Sequence, residues 1–248
     1  MKSKKNLIYI HGFSANKLDH PMLAKAVKKA GYKFYTFDLP GHGSLKDLYD
    51  IEDITFDFLV KYVIEQIKKL NLPSFVIMGH SMGGGLTSVL AGEKAFGNKL
   101  KGIILEAPHN KRVVNRSFSS IRNTITLIKE EMTRKLLKPK LTHYFRDMAE
   151  QKEEYSSLLL NILNISSLNR IQNGIDKIDV PALLLLGEKD IYIPLTDTYE
   201  NYMSNVDDLE VHIIHNAAHC VSVDQPNLFY KYFTQFLKSF DKNGQITD

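Results

Sequence analysis

Residues 79–83, Gly-His-Ser-Met-Gly, place a serine between two glycines at the end of an apolar run. The run 75–78 is typical of a buried strand, and the residues after the pentapeptide are typical of a helix. A serine at such a turn is typical of a catalytic nucleophile, because the tight turn exposes the hydroxyl and favours glycine on either side. The helix N-terminus also favours developing negative charge. We therefore predict that Ser81 is a nucleophile, against the plainer interpretation of a glycine-rich turn with an incidental serine.

A serine hydroxyl is a weak nucleophile unless a base lies within hydrogen-bond reach and an acid orients that base. Hydrolases with this kind of turn carry the three residues in the order serine, acid, histidine. His219 follows the last apolar run, whereas His215 lies within it, so we predict that His219 is the general base. Asp190, which follows the apolar run 182–186, is the predicted acid.

Other polar side chains near these positions have competing or plainer interpretations. Glu106 ends the strand candidate before Asp190 and is the alternative acid. Glu188 comes two residues too early and is expected to be solvated. Cys220 adjoins His219, but neighbours on a loop rarely point the same way, so we expect a small buried side chain.

An acyl-transfer site also needs hydrogen-bond donors for the oxyanion that forms during attack. The tripeptide 11–13, His-Gly-Phe, ends the first strand candidate. We predict that the backbone N–H groups of Phe13 and Met82 form the oxyanion hole. The alternative is a simple turn at the strand end, and His11 itself is expected to be a structural hydrogen-bonding residue.

Short apolar runs separated by helical patterns predict the elements that would position these residues. Continuous apolar runs are typical of strands in a parallel sheet that is covered on both faces. Strands alternating with helices predict an α/β fold with a doubly wound, mostly parallel sheet of about six strands. The strand candidates are residues 6–11, 33–38, 74–80, 100–106, 182–186 and 209–215. The helix candidates between and after them are residues 21–30, 51–70, 82–95 and 227–240.

One region interrupts the alternation of strand and helix. Residues 109–180 contain long helical patterns, at 117–137, 141–163 and 165–178, and no convincing strand. We therefore predict a core made of residues 1–108 and 181–248, with a helical cap, or lid, inserted between them. Apolar side chains of this insertion either line an acyl tunnel or pack the cap onto the core. They are Phe118, Ile121, Ile125, Leu127, Ile128, Met132, Leu158, Leu159, Leu160, Ile162 and Leu163.

Composition limits the compartment and the partners. The single cysteine allows no internal disulfide and suits a reducing compartment, so we expect a cytoplasmic protein. The apolar run 7–10 is shorter than the ~7–15 residues of a signal peptide, and no run approaches the ~18 apolar residues of a membrane span. Basic residues are scattered and give a net charge of +4 without a phosphate-binding motif, which argues against nucleic acid. The acidic residues and histidines match no metal-ligand spacing, and we expect a monomer or homodimer that needs no cofactor.

Five segments together resemble the α/β-hydrolase superfamily, in particular its small bacterial esterase and acylglycerol-lipase-like branch. They are His-Gly-Phe at 11–13, Asp-Leu-Pro-Gly-His-Gly at 38–43, Gly-His-Ser-Met-Gly at 79–83, Gly-Glu-Lys-Asp at 187–190 and Asn-Ala-Ala-His at 216–219. The resemblance covers the whole chain except the cap, and it implies that residues 38–43 form a structural turn near the site. The family commonly begins with an antiparallel strand pair, for which this chain has no room before residue 6, so we expect a trimmed sheet.

The resemblance and the predicted triad imply an esterase or lipase that acts on a small ester with an apolar acyl group. One alternative keeps the fold and changes the bond, as in an amidase or peptidase, a thioesterase, a C–C hydrolase or a perhydrolase-like enzyme. Another is a binding protein without catalysis. The fold does not decide between them.

Overall fold

The computed structural model describes residues 5–110 and 152–242, which form a six-stranded sheet flanked by helices. The strand order is β2-β1-β3-β4-β5-β6, and every neighbouring pair is parallel. The strands are β1 (Lys5–Ile10), β2 (Tyr32–Thr36), β3 (Phe75–His80), β4 (Leu100–Glu106), β5 (Ala182–Gly187) and β6 (Leu209–Ile214). The predicted fold class is confirmed, and each strand lies within two residues of its predicted bounds.

Eight α-helices and three short 3-10 turns lie between the described strands and after the last of them. The helices are α1 (Pro21–Lys29), α2 (Phe56–Lys69), α3 (Met82–Gly92), α4 (Lys152–Ile162), α5 (Ile165–Ile175), α6 (Leu195–Asn205), α7 (Val221–Asp224) and α8 (Pro226–Lys242). The 3-10 turns are Gly43–Leu45, Ile51–Asp53 and Gly97–Lys99. The second helix begins five residues later than predicted, because the Thr55 hydroxyl accepts the Phe58 N–H and caps the helix there.

Both faces of the four central strands, β1, β3, β4 and β5, are buried, which explains why these strands are mostly apolar. The edge strands β2 and β6 are partly exposed and include Lys33, Glu210 and His212. In β1, Ile8 and Ile10 join one hydrophobic cluster while Leu7 and Tyr9 join the other. The first cluster includes side chains of α2, α3 and α5, and the second includes side chains of α1 and α8. Successive side chains of a strand point to opposite faces, so a strand covered on both faces has few positions for solvated polar side chains.

The chain changes direction across the sheet at β1. It runs from β1 to β2 on one side and then crosses to β3 on the other side. In open α/β sheets, ligand sites lie at the carboxyl ends of the strands beside such a switch point. The segments that follow β1 and β3 contain Phe13 and Ser81, so the switch point coincides with the predicted nucleophile and oxyanion hole.

Two described helices, α4 and α5, lie within the predicted insertion 109–180. Helix α5 packs closely on α3, since a Cβ added at Gly92 would lie 2.0 Å from the Gly174 carbonyl oxygen. Leu158 and Ile162 of α4 are buried in the core, whereas Leu160 is exposed. The predicted helix at 117–137, much of that at 141–163, and the first six apolar side chains proposed for a tunnel lie outside the described residues.

No helix within the described ranges combines the length and the apolar character that crossing a membrane requires. This finding concerns residues 5–110 and 152–242 alone.

We expect Gly92→Ala to lower the free energy of unfolding, because its Cβ would meet the backbone of α5. Overpacking of this kind costs about 1–3 kcal/mol, more than the ~1 kcal/mol that alanine gains over glycine within a helix. Gly85→Ala is the matched control in α3, since the nearest atom to its Cβ is the flexible Ile171 Cδ1 at 3.0 Å. Urea unfolding of both variants tests the difference, and equal midpoints would contradict the close α3–α5 contact.

Candidate active site

Ser81 adopts a left-handed backbone conformation between β3 and α3, with φ 53° and ψ −116°. Residues other than glycine rarely adopt such values, so the surrounding structure must hold this one. A Cβ at Gly79 would lie 2.2 Å from the Gly83 carbonyl oxygen, and one at Gly83 would lie 2.2 Å from the Ile10 carbonyl oxygen. The two glycines therefore allow backbone to pack directly on backbone, and this contact supports the strained serine.

Asp190 and His219 form a direct hydrogen bond at the carboxyl edge of the sheet. His219 Nδ1 lies 2.8 Å from Asp190 Oδ2, and the exposed fractions of the two side chains are 15% and 2%. The other oxygen, Asp190 Oδ1, accepts the backbone N–H groups of Tyr192 at 2.8 Å and Ile193 at 3.0 Å. Because a carboxylate only accepts, Nδ1 carries the hydrogen, which leaves Nε2 of a neutral imidazole as an acceptor.

The segment that carries His219 is attached to the residue before Ser81. The ring of His80 lies 4.8 Å from the ring of His219, measured between centroids. His80 Nε2 lies 3.1 Å from the His219 carbonyl oxygen and therefore donates to it. The predicted base and the predicted nucleophile are thus joined through one side chain.

The segment after β1 lies against the same turn. A Cβ added at Gly12 would lie 3.1 Å from Ser81 Cβ, so residues 11–13 pass directly beside the serine. Met82 begins α3, where the backbone N–H groups of the first turn have no acceptor within the helix. Met82 therefore follows Ser81 directly, and Phe13 follows a glycine that lies against Ser81.

His11 is a structural residue of that segment. Its Nε2 accepts the Leu39 N–H at 3.0 Å, so Nδ1 carries the hydrogen and donates to the Gly12 carbonyl oxygen at 2.8 Å. Burial, the largest cause, lowers the pKa of His11 to about 3 and keeps the ring neutral.

Asp38 anchors the turn at residues 38–43 to the segment after β1. Its carboxylate accepts the Lys17 N–H at 2.8 Å, the Ser44 N–H at 3.0 Å and the Ser44 hydroxyl at 2.7 Å. Burial raises the pKa of Asp38, but these hydrogen bonds together outweigh it and hold the pKa below the usual range. The turn at residues 38–43 therefore supports, through Asp38, the segment after β1 that lies beside Ser81.

The competing acids lie elsewhere. Glu188 is exposed and pairs with His215, whose side chain is 75% exposed. Glu106 is fully buried, and its Oε1 accepts the backbone N–H of Ser222 at 2.7 Å. Burial raises the pKa of Glu106 to about 7, against hydrogen bonds from Ser222 that lower it. The acid in contact with His219 Nδ1 is therefore Asp190.

Sequence reasoning did not find the cluster of buried polar side chains beneath His219. The ring of His80 lies 5.8 Å from that of His20, and Ser222 Oγ lies 3.3 Å from His20 Nδ1. Cys220 is buried with Sγ 3.8 Å from His80 Nε2, and burial raises the pKa of its thiol well above the ordinary value. The sequence signal for His80 was its place beside Ser81, whereas contacts between residues up to 202 positions apart leave no sequence signal.

No group of three or more histidine, cysteine, aspartate or glutamate side chains that could hold a metal ion occurs within residues 5–110 and 152–242.

Comparisons with known proteins relate the chain to hydrolases. The sequence profile described as "Alpha/beta hydrolase family" matches residues 7–231. A Mycoplasma genitalium protein provisionally named esterase/lipase 2 is 27% identical over 97% of this chain and 92% of its own. Monoacylglycerol lipase ABHD6 of Homo sapiens is 24% identical over 95% of this chain and 76% of its own. A crystal structure of Paleococcus ferrophilus monoacylglycerol lipase superposes with a TM-score of 0.69 at 20% identity, covering 96% and 97% of the two chains, and this likeness concerns the fold.

We expect the protein to lose stability as the pH falls from about 6.5 toward 4. Burial is the largest cause that lowers the pKa of five histidines: His11 to about 3, His20, His42 and His109 to about 4, and His80 well below 6.5. The unfolded chain binds protons in this range that the folded chain excludes, and each pKa unit corresponds to about 1.4 kcal/mol. Glu106, with its raised pKa, opposes the trend as a single group between about pH 4.5 and 7.

Urea unfolding at pH 7.0 and pH 5.0 measures this effect. We expect a clearly lower midpoint at pH 5.0, and a smaller decrease in His42→Asn, which removes one buried imidazole. An equal or higher midpoint at pH 5.0 in the wild-type protein would show that the histidines do not resist protonation.

Proposed function

Because this chain belongs to the alpha/beta hydrolase family, we propose that it is a serine hydrolase that cleaves carboxylic esters through Ser81, His219 and Asp190. The observation that carries the proposal is the 2.8 Å hydrogen bond between His219 Nδ1 and Asp190 Oδ2. It fixes the tautomer whose Nε2 accepts a proton. His219 also contacts His80, which directly precedes a serine held on a strained strand-to-helix turn.

The proposed reaction is two-step acyl transfer. His219 Nε2 takes the proton of the Ser81 hydroxyl while the Ser81 oxygen attacks the ester carbonyl carbon. The tetrahedral intermediate collapses when His219 returns the proton to the leaving alcohol, which leaves an acyl ester on Ser81. Water then attacks this ester by the same proton transfers and releases the acid. Asp190 stabilises the imidazolium at each stage.

The backbone N–H groups of Phe13 and Met82 would donate to the oxyanion. Three observations support this role: the proximity of Gly12 to Ser81, the start of α3 at Met82, and the switch point between β1 and β3. Donors on rigid backbone need no reorganisation as charge develops, and losing one costs about 3 kcal/mol of barrier.

We propose an apolar acyl group and a small alcohol as the two parts of the substrate. The support is the names of relatives, which include an esterase/lipase and a monoacylglycerol lipase. We further propose that residues 109–180 form a cap on the core 1–108 and 181–248. Helix α5 would anchor this cap through its contact with α3. The residues of the cap that precede α5 would select the acyl chain.

We expect Ser81→Ala to lower kcat on p-nitrophenyl esters by about 10⁴- to 10⁶-fold, because no other group would attack the carbonyl. Ser88→Ala is the matched control, since Ser88 is a buried serine of α3 that bonds Gly84 and Tyr202 instead. The assay uses acyl chains from two to sixteen carbons, and a medium or long optimum supports the lipid-like substrate. Full activity in Ser81→Ala would exclude Ser81 as nucleophile, and inactivity of the wild type on every ester would exclude the esterase.

Asp190→Asn tests the orienting acid. The amide retains one oxygen for the Tyr192 and Ile193 N–H groups but presents an NH₂ group to His219, which favours the wrong imidazole tautomer. We expect kcat to fall about 10³- to 10⁴-fold with KM changed much less. Glu188→Gln is the control, because Glu188 lies two residues away and pairs with His215. A larger loss in Glu188→Gln than in Asp190→Asn would contradict the assignment.

A further inference from the structure

Glu106 makes two hydrogen bonds that lead to opposite sides of the candidate site. Its backbone carbonyl oxygen accepts the N–H of Ser81 at 2.9 Å. Its side-chain Oε1 accepts the N–H of Ser222 at 2.7 Å. One residue at the end of β4 therefore holds the proposed nucleophile through its main chain and the segment of the proposed base through its side chain.

The segment 215–225 is held at His219 itself, where the carbonyl oxygen accepts from His80 Nε2 at 3.1 Å, and on both sides of it. Before the histidine, the Ala217 carbonyl oxygen accepts the Lys189 N–H at 2.8 Å, which ties the segment to the end of β5. The bond from the Ala218 N–H to Asp224 Oδ2 closes the segment on itself. After the histidine, the Ser222 N–H to Glu106 bond connects the segment to β4.

The chemistry of Glu106 is unusual for a core residue. Its side chain is 0% exposed, and Oε2 has no hydrogen-bond partner among the described residues. A carboxyl group buried with an unsatisfied oxygen opposes folding. Its neighbours on the same strand face, such as Ile104, are apolar, so stability alone would favour an apolar side chain at position 106.

We propose that Glu106 is a positioning residue, which fixes the segment carrying His219 relative to Ser81 by accepting the Ser222 N–H. The inference rests on the proposed function, because it assigns His219 as the base. Glu106 touches no reacting atom, so its loss would disturb the distance between base and nucleophile and leave the binding of the substrate unchanged. Misplacement of a reacting group by 1 Å can cost about 10²-fold in rate.

The experiment compares Glu106→Met, Glu106→Gln and Ile104→Ala with the wild type and with Ser81→Ala. Methionine has a similar length and removes the acceptor, glutamine keeps an acceptor oxygen, and Ile104→Ala removes buried volume from the same strand face. We expect Glu106→Met to lower kcat about 10- to 100-fold with KM changed less than about threefold. Glu106→Gln and Ile104→Ala should each keep kcat within about threefold of the wild type, which separates positioning from a general loss of packing.

Hydrogen exchange of residues 215–225, followed by mass spectrometry, reads the same contact without any assay of activity. We expect faster exchange in Glu106→Met and unchanged exchange in Glu106→Gln. If Glu106→Met does not fold, Glu106→Asp replaces it, because the shorter side chain withdraws the acceptor from Ser222 and keeps the carboxyl group.

The outcomes separate the two proposals. A variant without the acceptor that keeps wild-type kcat, or that leaves the exchange of residues 215–225 unchanged, overturns the positioning role. Equal losses in Glu106→Gln and Glu106→Met overturn it as well, because the acceptor would then not be the relevant property. Full activity in Ser81→Ala instead overturns the proposed function and, with it, this inference.

Discussion

The packing of backbone on backbone around Ser81 is the constraint on which the rest of the site depends. The turn holds a serine at φ 53°, a conformation that would relax if α3 moved away from β1 and β3. Gly79 and Gly83 permit the approach because either Cβ would lie 2.2 Å from a carbonyl oxygen. The same approach carries the first turn of α3 and the segment after β1 to the serine, so one steric fact fixes both the proposed nucleophile and its oxyanion donors.

The parallel sheet brings the other polar residues of the candidate site together. Every strand ends at the same edge, so the residues after β1, β3, β4, β5 and β6 meet there although they are far apart in sequence. Their polar side chains are then connected in a buried network, which includes the bonds from His80 to His219 and from Ser222 to Glu106. A network of this kind is rigid when its members are paired, and rigidity is what a base aimed at a nucleophile requires.

The sequence predicted the sheet well because a covered parallel strand leaves a simple signal, a short run of apolar residues between turns. The turn at Ser81 and the position of Asp190 after β5 could be predicted for a similar reason, since a short sequence motif defines the first and the order of strands defines the second. The start of α2 was predicted too early, because Ile51 and Ile54 continue the three- and four-residue spacing of apolar side chains, whereas residues 51–53 form a 3-10 turn and Thr55 caps the helix. The partners of His80, His20 and Glu106 were not readable, because pairing across distant segments depends on side-chain packing that no spacing encodes.

Strands β4 and β5 are neighbours in the sheet although residues 107–181 separate them in sequence. They are paired from Ile103 with Ala182 to Glu106 with Leu185. The segment between them leaves and re-enters the sheet at adjacent strands, while Ser81, Asp190 and His219 all belong to the parts on either side. Changes in the part of that segment that does not pack on the core can therefore accumulate without shifting a strand pair, and such a fold can acquire new substrates by evolution while the proposed catalytic residues stay in place.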